Sequence, residues 1–204
     1  MTAKRLNKGG QIDRSKKLNF YWDNKNFQGY QNDTLASALL ANNQTIIGRS
    51  FKYHRPRGIM SAGVEESGAL VTIGKGNYRD PNVRATSQEL YEGITAYGQN
   101  AFPNVRYDLG FINSMFSSFL SAGFYYKTFM GIPPFEWGRG TKIWMFYEYF
   151  IRKAAGMGSA SRKPDPDKYE HAHDFCDVLV VGSGPAGIES ALEAAQNDLD
   201  VILV

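Results

Sequence analysis

The stretch Asp-Val-Leu-Val-Val-Gly-Ser-Gly-Pro-Ala-Gly, residues 177–187, decides the fold of the C-terminal part of the chain. Residues 178–181 are an apolar run, which predicts a short buried strand. Helix formers follow at residues 188–196, and residues 200–204 suggest a second strand. In the order strand, turn, helix, strand, the pattern G-x-G-x-x-G indicates a dinucleotide site. We therefore predict that residues 176–204 begin a Rossmann-type dinucleotide-binding domain with its first βαβ unit.

The glycines of this turn have separate roles. Gly182 allows a tight turn, Gly184 lets a pyrophosphate approach the backbone, and Gly187 lets the helix pack closely on the strand. The helix N-terminus offers unpaired N–H groups and a partial positive charge to the anion. The candidate cofactor-binding residues are Gly182, Ser183, Gly184, Pro185, Ala186 and Gly187. The alternative is a turn whose glycines serve packing only.

The turn does not separate NAD from FAD. The acidic residue that binds the ribose hydroxyls comes just after the second strand, and the sequence ends at Val204. Parallel strands need neighbours on both sides and cover on both faces. We therefore expect these 204 residues to be the N-terminal part of a longer protein.

Composition limits the class of protein. A net charge of +3 does not by itself indicate a nucleic-acid partner. Cys176 is the only cysteine, which excludes an internal disulfide framework and fits a reducing cytoplasm. The polar N-terminus has no secretory apolar segment, and no apolar run approaches the length of a membrane span. We expect a cytoplasmic protein that contacts neither membrane nor nucleic acid.

Neither catalytic residues nor a metal site are predicted. Cys176 is a possible nucleophile, but a small residue leading into a buried strand is the simpler interpretation. His171 and His173 are expected to be solvated in a linker rather than to bind a metal. His54 has no cysteine or carboxylate partner at useful spacing.

The first part of the chain has the pattern of a β-grasp domain, residues 18–80, after a basic arm, residues 1–17. Strands are predicted at residues 18–22 and 26–30 around a turn at 23–25, and a late strand at 71–73. Asp33 is the predicted N-cap of a helix over residues 34–41. Plant-type ferredoxins begin in this way but hold an iron–sulfur cluster with cysteines in C-x₄-C-x₂-C spacing after the helix. Residues 42–60 contain no cysteine, so a ferredoxin relative here is expected to be cluster-free.

Residues 49–58 interleave basic and aromatic side chains. Strand alternation would put Phe51 and Tyr53 on one face and Lys52 and His54 on the other. Such a stretch suits a solvated loop or protein contact, the anion of a cofactor or substrate, or single-stranded nucleic acid.

Residues 81–160 are predicted to be a helical, aromatic-rich segment. Thr86 and Glu89 match a capping box for a helix that carries Leu90, Ile94 and Tyr97. Residues 104–130 are expected to be partly helical, with Phe124, Tyr125, Tyr126 and Phe129 in a core or subunit contact. Residues 142–155 are predicted to form a helix that is buried against another domain or subunit. Pro164 and Pro166 then mark a linker at residues 161–175.

A set of motifs in one order resembles the alpha subunit of heterotetrameric sarcosine oxidases. The motifs are DTLASALLANN at 33–43, GRSFKYHRPRG at 48–58, SAGVEE at 61–66, RATSQELYEG at 84–93, AGFYYKTFM at 122–130, PDPDKY at 164–169 and CDVLVVGSGPAG at 176–187. The resemblance extends from about residue 18 to the end of the sequence. It implies an α+β domain, the cluster-free β-grasp, followed by a helical segment and the α/β start of the dinucleotide domain.

The resemblance also implies a function. Such enzymes oxidatively demethylate sarcosine to glycine, forming hydrogen peroxide and, with tetrahydrofolate, 5,10-methylenetetrahydrofolate. It implies NAD in the alpha subunit, FAD and FMN elsewhere in the complex, a downstream tetrahydrofolate domain, and beta, gamma and delta subunits as partners. The resemblance implies that the glycine turn of this chain binds the phosphates of NAD and that these 204 residues contain no catalytic group. The fragment alone is therefore expected to be inactive. Arg49, Lys52 and Arg55 are further candidates near FMN or the beta subunit.

Two other functions fit the same residues. The chain would be the alpha-like subunit of a related amine or opine dehydrogenase, binding FAD or NAD. Alternatively, it would be a non-enzymatic assembly module whose nucleotide is structural.

Overall fold

A computed structural model describes residues 5–50, 53–116, 145, 148, 149, 152 and 156–204. The chain divides into two compact units, Met1–Pro166 and Asp167–Val204. None of the helices among the described residues is long and apolar enough to cross a membrane.

The first unit is built on a mixed five-stranded sheet. Its strands are β1 (Asp13–Trp22), β2 (Lys25–Gln31), β5 (Leu70–Ile73), β6 (Asp80–Arg84) and β7 (Thr95–Gly98), in the order β2-β1-β7-β5-β6. β7 runs parallel to β1 and antiparallel to β5. A separate two-stranded sheet pairs β3 (Gly48–Arg49) with β4 (Pro56–Arg57). Short 3₁₀ helices cover Gly76–Tyr78 and Leu109–Phe116.

The β1–β2 hairpin forms where the sequence predicts it. Asp23 and Asn24 take positive φ angles of 45° and 64° at the turn, as the tight turn of a two-residue hairpin requires. Helix α1 (Leu35–Ala41) follows and places Leu35, Ala36, Ala38 and Leu39 in the core. The core joins this helix to the sheet through residues that include Phe20, Trp22, Val71, Ile94 and Ala96.

The predicted N-cap of α1 is wrong by one residue. Thr34, not Asp33, has the extended cap backbone, and its hydroxyl accepts a hydrogen bond from the Ser37 N–H. The Ser37 hydroxyl accepts in return from the Thr34 N–H at 3.0 Å, which completes a capping box. Asp33 lies just before the cap, and its carboxylate accepts from the Arg5 guanidinium, the Tyr30 N–H and the Ser37 hydroxyl.

The helix predicted from the Thr86–Glu89 pattern is also wrong. Residues 85–87 form a turn, and Glu89 forms a β-bridge with Thr34. Residues 95–98 are strand β7, in the middle of the sheet, although Tyr97 was expected on a helix. The tertiary pairing of β7 with two neighbours overrides the local pattern, since strand preference depends strongly on context. The five-stranded sheet therefore extends past the predicted boundary at residue 80.

Part of the basic arm, residues 1–17, is built into the first unit, although Lys8, Lys16 and Lys17 are exposed. β1 begins at Asp13, and the Arg14 guanidinium donates to the Leu6 and Gly9 carbonyls at 3.0 and 2.9 Å. Arg5 packs against Tyr30 and binds Asp33. The basic residues of this segment are thus partly internal ligands of the first unit.

Part of the predicted middle helices lies outside the described residues, including Phe124, Tyr125, Tyr126 and Phe129. Of residues 142–155, Met145, Glu148, Tyr149 and Arg152 are described and are helical. The Arg152 guanidinium donates to the Glu148 carboxylate at 2.7 Å. Met145 and Tyr149 are exposed in this chain, and burial of the helix against another domain or subunit stays a prediction.

The second unit is a single βαβ arrangement. Strand β8 (Val178–Val180) pairs in parallel with β9 (Val201–Leu203), and helix α2 (Pro185–Gln196) connects them. The strand is not buried as predicted, since Leu179 is 58% exposed. Side chains alternate across a strand, and a two-stranded sheet with one helix covers only one face.

Candidate nucleotide-binding site

The turn between β8 and α2 has the geometry that its glycines predict. Gly182 has a φ of +107°, a conformation that side chains rarely adopt. Its N–H donates to the Val204 carbonyl, and the Val204 N–H donates to the Val180 carbonyl at 3.0 Å. The turn is therefore fixed directly to the end of β9.

Gly187 is required for packing within the turn itself. A methyl group at this position would collide with the carbonyl oxygen of Gly182 and lie 3.4 Å from the Val180 side chain. The absence of a side chain thus allows helix and strand to approach closely, as the sequence predicts.

Gly184 differs from Gly187 because the protein does not need its missing side chain. Nothing lies within 4 Å of the position that a Cβ would take, and the backbone is extended, with φ −71° and ψ 171°. The fold therefore accepts a side chain here. This makes Gly184 the residue whose lack of a Cβ is best explained by the approach of another molecule.

The N-terminus of α2 directs backbone N–H groups at this open side. Gly184 is the N-cap, and no side-chain cap is recorded for it within the described part of the chain. The Ile188 N–H donates to the Gly184 carbonyl at 2.9 Å, so the N–H groups of Ala186 and Gly187 precede the first helical hydrogen bond. Pro185 is at the first helical position, where a missing N–H costs nothing.

The predicted residues therefore form one surface. Gly182, Ser183, Gly184, Pro185 and Ala186 are exposed, and Gly187 is half-buried. Such a helix N-terminus suits a phosphate or pyrophosphate.

In the first unit, three carboxylates are buried and accept hydrogen bonds from the chain itself; the sequence indicated none of these contacts. Asp33 is the first. Arg5 donates to it in bidentate fashion, at 2.7 and 2.8 Å. The Tyr30 N–H and the Ser37 hydroxyl also donate to it, at 2.9 and 2.6 Å.

Glu66, the second, is 2% exposed. Its carboxylate accepts the N–H groups of Met60 and Ser61, each at 2.7 Å, and that of Gly68. Burial raises the pKa of Glu66, but the N–H groups of Ser61, Met60 and Gly68 together outweigh burial, so the pKa lies below its usual value.

Asp108 is the third, paired with His54. Its Oδ2 lies 2.6 Å from His54 Nδ1, and its Oδ1 accepts the N–H groups of Phe102 and Gly110 at 3.0 and 2.9 Å. Sequence spacing gave no signal for this pair, because the two residues are 54 positions apart. His54 takes a φ of +50° in the turn after β3, so the strand alternation predicted through residues 53 and 54 is wrong. Phe51 and Lys52 lie outside the described residues.

Of the candidate residues in the basic stretch, Arg49 is held within the fold and Arg55 is exposed. The Arg49 guanidinium donates to the Val105, His54 and Arg106 carbonyls at 2.8, 3.3 and 3.3 Å, so it ties the turn to a neighbouring loop. Arg55 is exposed over the ring of Tyr53. His171 and His173 are exposed, as predicted, and Cys176 is half-buried. No group of three or more possible metal ligands occurs among the described residues.

Comparison with known proteins finds a separate match in each of the two units of the chain. Residues 15–101 match the model of a 2Fe-2S iron-sulfur cluster binding domain, and residues 177–204 match that of an FAD binding domain. Residues 15–101 contain no cysteine, although the ligands of such clusters are cysteine thiolates. The residues of this chain therefore do not fit a cluster.

The chain is similar over its full length to sarcosine oxidase subunit alpha. It is 52% identical to the protein of that name from Rhizobium meliloti (strain 1021) over 205 residues, which is all of this chain and 20% of the relative. It is 30% identical to the one from Corynebacterium sp. (strain U-96), over 96% of this chain and 15% of that relative. The resemblance inferred from the ordered motifs is confirmed, and the chain spans about one fifth or less of the length of these relatives.

A solved structure of L-proline dehydrogenase from P. horikoshii aligns with 94% of this chain and 25% of its own. The TM-score is 0.38 and the identity 20%, so nothing is inferred from it.

Proposed function

We propose that this chain forms the N-terminal part of the alpha subunit of a heterotetrameric sarcosine oxidase. The complete enzyme would demethylate sarcosine to glycine, reduce oxygen to hydrogen peroxide, and pass the one-carbon unit to tetrahydrofolate in a downstream domain. The observation that carries the proposal is the 52% identity over the whole chain to a protein named sarcosine oxidase subunit alpha.

Within that enzyme the present residues bind a nucleotide and contact other subunits. NAD is the proposed ligand of residues 182–187, and FAD and FMN belong elsewhere in the complex. The openness around Gly184 and the uncapped start of α2 support a phosphate ligand. The second candidate is FAD at the same turn, which the match of residues 177–204 to an FAD binding domain favours.

The first unit is proposed to be a cluster-free relative of 2Fe-2S domains that serves assembly. Beta, gamma and delta subunits are the proposed partners, in the cytoplasm, and the chemistry is assigned to other parts of the enzyme. The lack of cysteine in residues 15–101 supports this assignment.

Nucleotide analysis of the purified complex tests the ligand. Gly184→Val should reduce nucleotide affinity at least about 100-fold, because it displaces a pyrophosphate from charge-assisted hydrogen bonds of roughly 1.5 kcal/mol or more each. Its stability should fall by no more than about 1 kcal/mol, since the space around Gly184 is open and the only loss is that valine is a poorer N-cap than glycine. Ser190→Ala, in the same helix, is the matched control and should bind normally. Extraction of FAD instead of NAD from the wild-type alpha chain would favour the second candidate.

Substrate comparison tests the activity. The complex should release peroxide from sarcosine faster than from other N-methyl amino acids or opines. Oxidation of an opine with no peroxide would instead support a related dehydrogenase. Turnover of none of these substrates by a fully loaded complex would support an assembly module.

A further inference from the structure

The loop between β4 and β5 is folded around the carboxylate of Glu66. One oxygen, Oε2, accepts the N–H groups of Met60 and Ser61 and lies 3.3 Å from the Ser61 hydroxyl. The other, Oε1, accepts the N–H of Gly68. N–H groups from both sides of residue 66 thus converge on one buried negative charge, an arrangement that backbone nests provide for anions.

The positions involved have the spacing of a cluster site. Plant-type ferredoxins bind their cluster through C-x₄-C-x₂-C, that is, through residues separated by five and then three positions. Ser61 and Glu66 are five apart and their side chains are within hydrogen-bonding distance of each other. Three positions further is Ala69, which is fully buried. The three thiolate positions then correspond to a hydroxyl, a carboxylate and a methyl group, inside the segment that matches the 2Fe-2S model.

The surroundings of the loop are completed without a ligand. The Arg84 guanidinium donates to the backbone carbonyl of Glu66 at 3.2 Å, and the Thr86 hydroxyl to that of Gly63 at 2.7 Å. The Ala85 N–H donates to the Ala69 carbonyl at 3.0 Å. The loop is therefore bound to β6 and the turn after it on the outside, while the Glu66 carboxylate binds the N–H groups on its inside.

We propose that the Glu66 carboxylate takes the place of the iron–sulfur cluster in this domain, as a negative charge built into the chain. The loop N–H groups that would otherwise need an inorganic anion are satisfied by a side chain. The domain consequently folds without iron and relays no electrons. Its contribution to the complex is a rigid surface rather than a redox centre.

Substitution of the carboxylate tests the proposal in the purified protein. Glu66→Gln offers one carbonyl oxygen where the loop needs two acceptors, and its NH₂ group faces an N–H donor. Native-state hydrogen exchange of the β5 amides should accelerate about 10- to 100-fold, which corresponds to the cost of a buried unsatisfied donor. Glu65→Gln is the matched control, because Glu65 is the exposed neighbour, and it should change exchange less than about threefold. Equal effects of the two substitutions would overturn the proposal.

Two measurements on the wild-type protein remain informative if Glu66→Gln does not fold. The amides of Met60, Ser61 and Gly68 should exchange as slowly as those of β5. After anaerobic incubation with iron and sulfide, the first unit should hold neither in stoichiometric amount. Fast exchange at these three amides, or a bound cluster in the first unit, would refute the built-in anion.

Discussion

The loop around Glu66 and the turn at residues 182–187 both gather backbone N–H groups, but they differ in the source of the acceptor. In the loop, a buried side chain accepts N–H groups from Met60, Ser61 and Gly68. In the turn, glycines remove side chains, and the helix begins at Gly184 with no side-chain cap recorded in the described structure. The difference teaches that the loop of the first unit supplies its own acceptor, whereas the turn of the second unit leaves backbone N–H groups open for the proposed ligand.

The largest expected effect comes from removing the counter-ion of a buried carboxylate in the first unit. Arg5→Ala removes the bidentate partner of Asp33, whose side chain is fully buried. We expect a loss of about 3 kcal/mol in the free energy of unfolding, because a buried carboxylate is left without its counter-ion. Chemical denaturation measures this loss. Arg55→Ala, at an exposed site, is the control, and a comparable loss there would contradict the internal role of Arg5.

A second substitution separates packing from ligand binding in the turn. Gly187→Ala introduces a collision with the Gly182 carbonyl and should destabilise the second unit by about 2 kcal/mol, as overpacking does. Hydrogen exchange at β8 and β9 measures the change. Gly184→Val should raise the same exchange rates much less, because its only structural cost is a poorer helix N-cap. If both substitutions destabilise the unit equally, the contrast between the two glycines is wrong.

Acid titration tests the built-in acceptor. The pKa of Glu66 lies below the ordinary value of 4.5 in the folded state. Its charge therefore stabilises the fold above pH 4.5, and this contribution is lost as the pH falls through the lower, folded-state pKa. The stability difference between wild type and Glu66→Gln should be full at neutral pH and shrink on acidification. A difference that grows below pH 4.5 would show that the carboxyl is stabilised in its neutral form.

The smallest expected loss of stability comes from the N-cap of helix α1. Thr34→Ala removes the cap of α1 and should cost about 1 kcal/mol. Thr34→Ser keeps the hydroxyl and should cost much less. Thermal unfolding of the three proteins measures the cap. Equal melting temperatures for all three would mean that the capping box of α1 contributes no stability.

Local signals in the sequence were sufficient for the hairpin, helix α1 and the glycine turn. Each depends on neighbouring residues: the turn at Asp23 and Asn24, the apolar spacing of Leu35 and Leu39, and the glycine spacing. Strand β7 was missed because the Thr86–Glu89 pattern also suits a helix start. Its strand conformation is decided by pairing with β1, more than 70 residues earlier.

The same distinction between local signals and contacts distant in sequence applies to the candidate site. The glycine spacing predicted the strand–turn–helix geometry of residues 182–187, since the motif specifies its own backbone, while their binding role stays a prediction. It did not identify the partners of Asp33, Asp108 or Glu66. The Arg5–Asp33 and His54–Asp108 pairs join residues 28 and 54 positions apart, and only the folded chain reveals them.

The central position of β7 also determines when the first unit can form. β7 is the only strand of the described sheet that pairs with both β1 and β5, so it joins the β1–β2 hairpin to the β5–β6 hairpin. A nascent chain that ends before residue 95 contains both hairpins but not the strand that unites them. Closing the sheet requires a contact of high sequence separation, which slows folding. During synthesis, the backbone edge of β1 that pairs with β7 therefore stays unpaired until β7 has been made. Chain termination before β7 would leave this edge open and yield an aggregation-prone intermediate rather than a smaller domain.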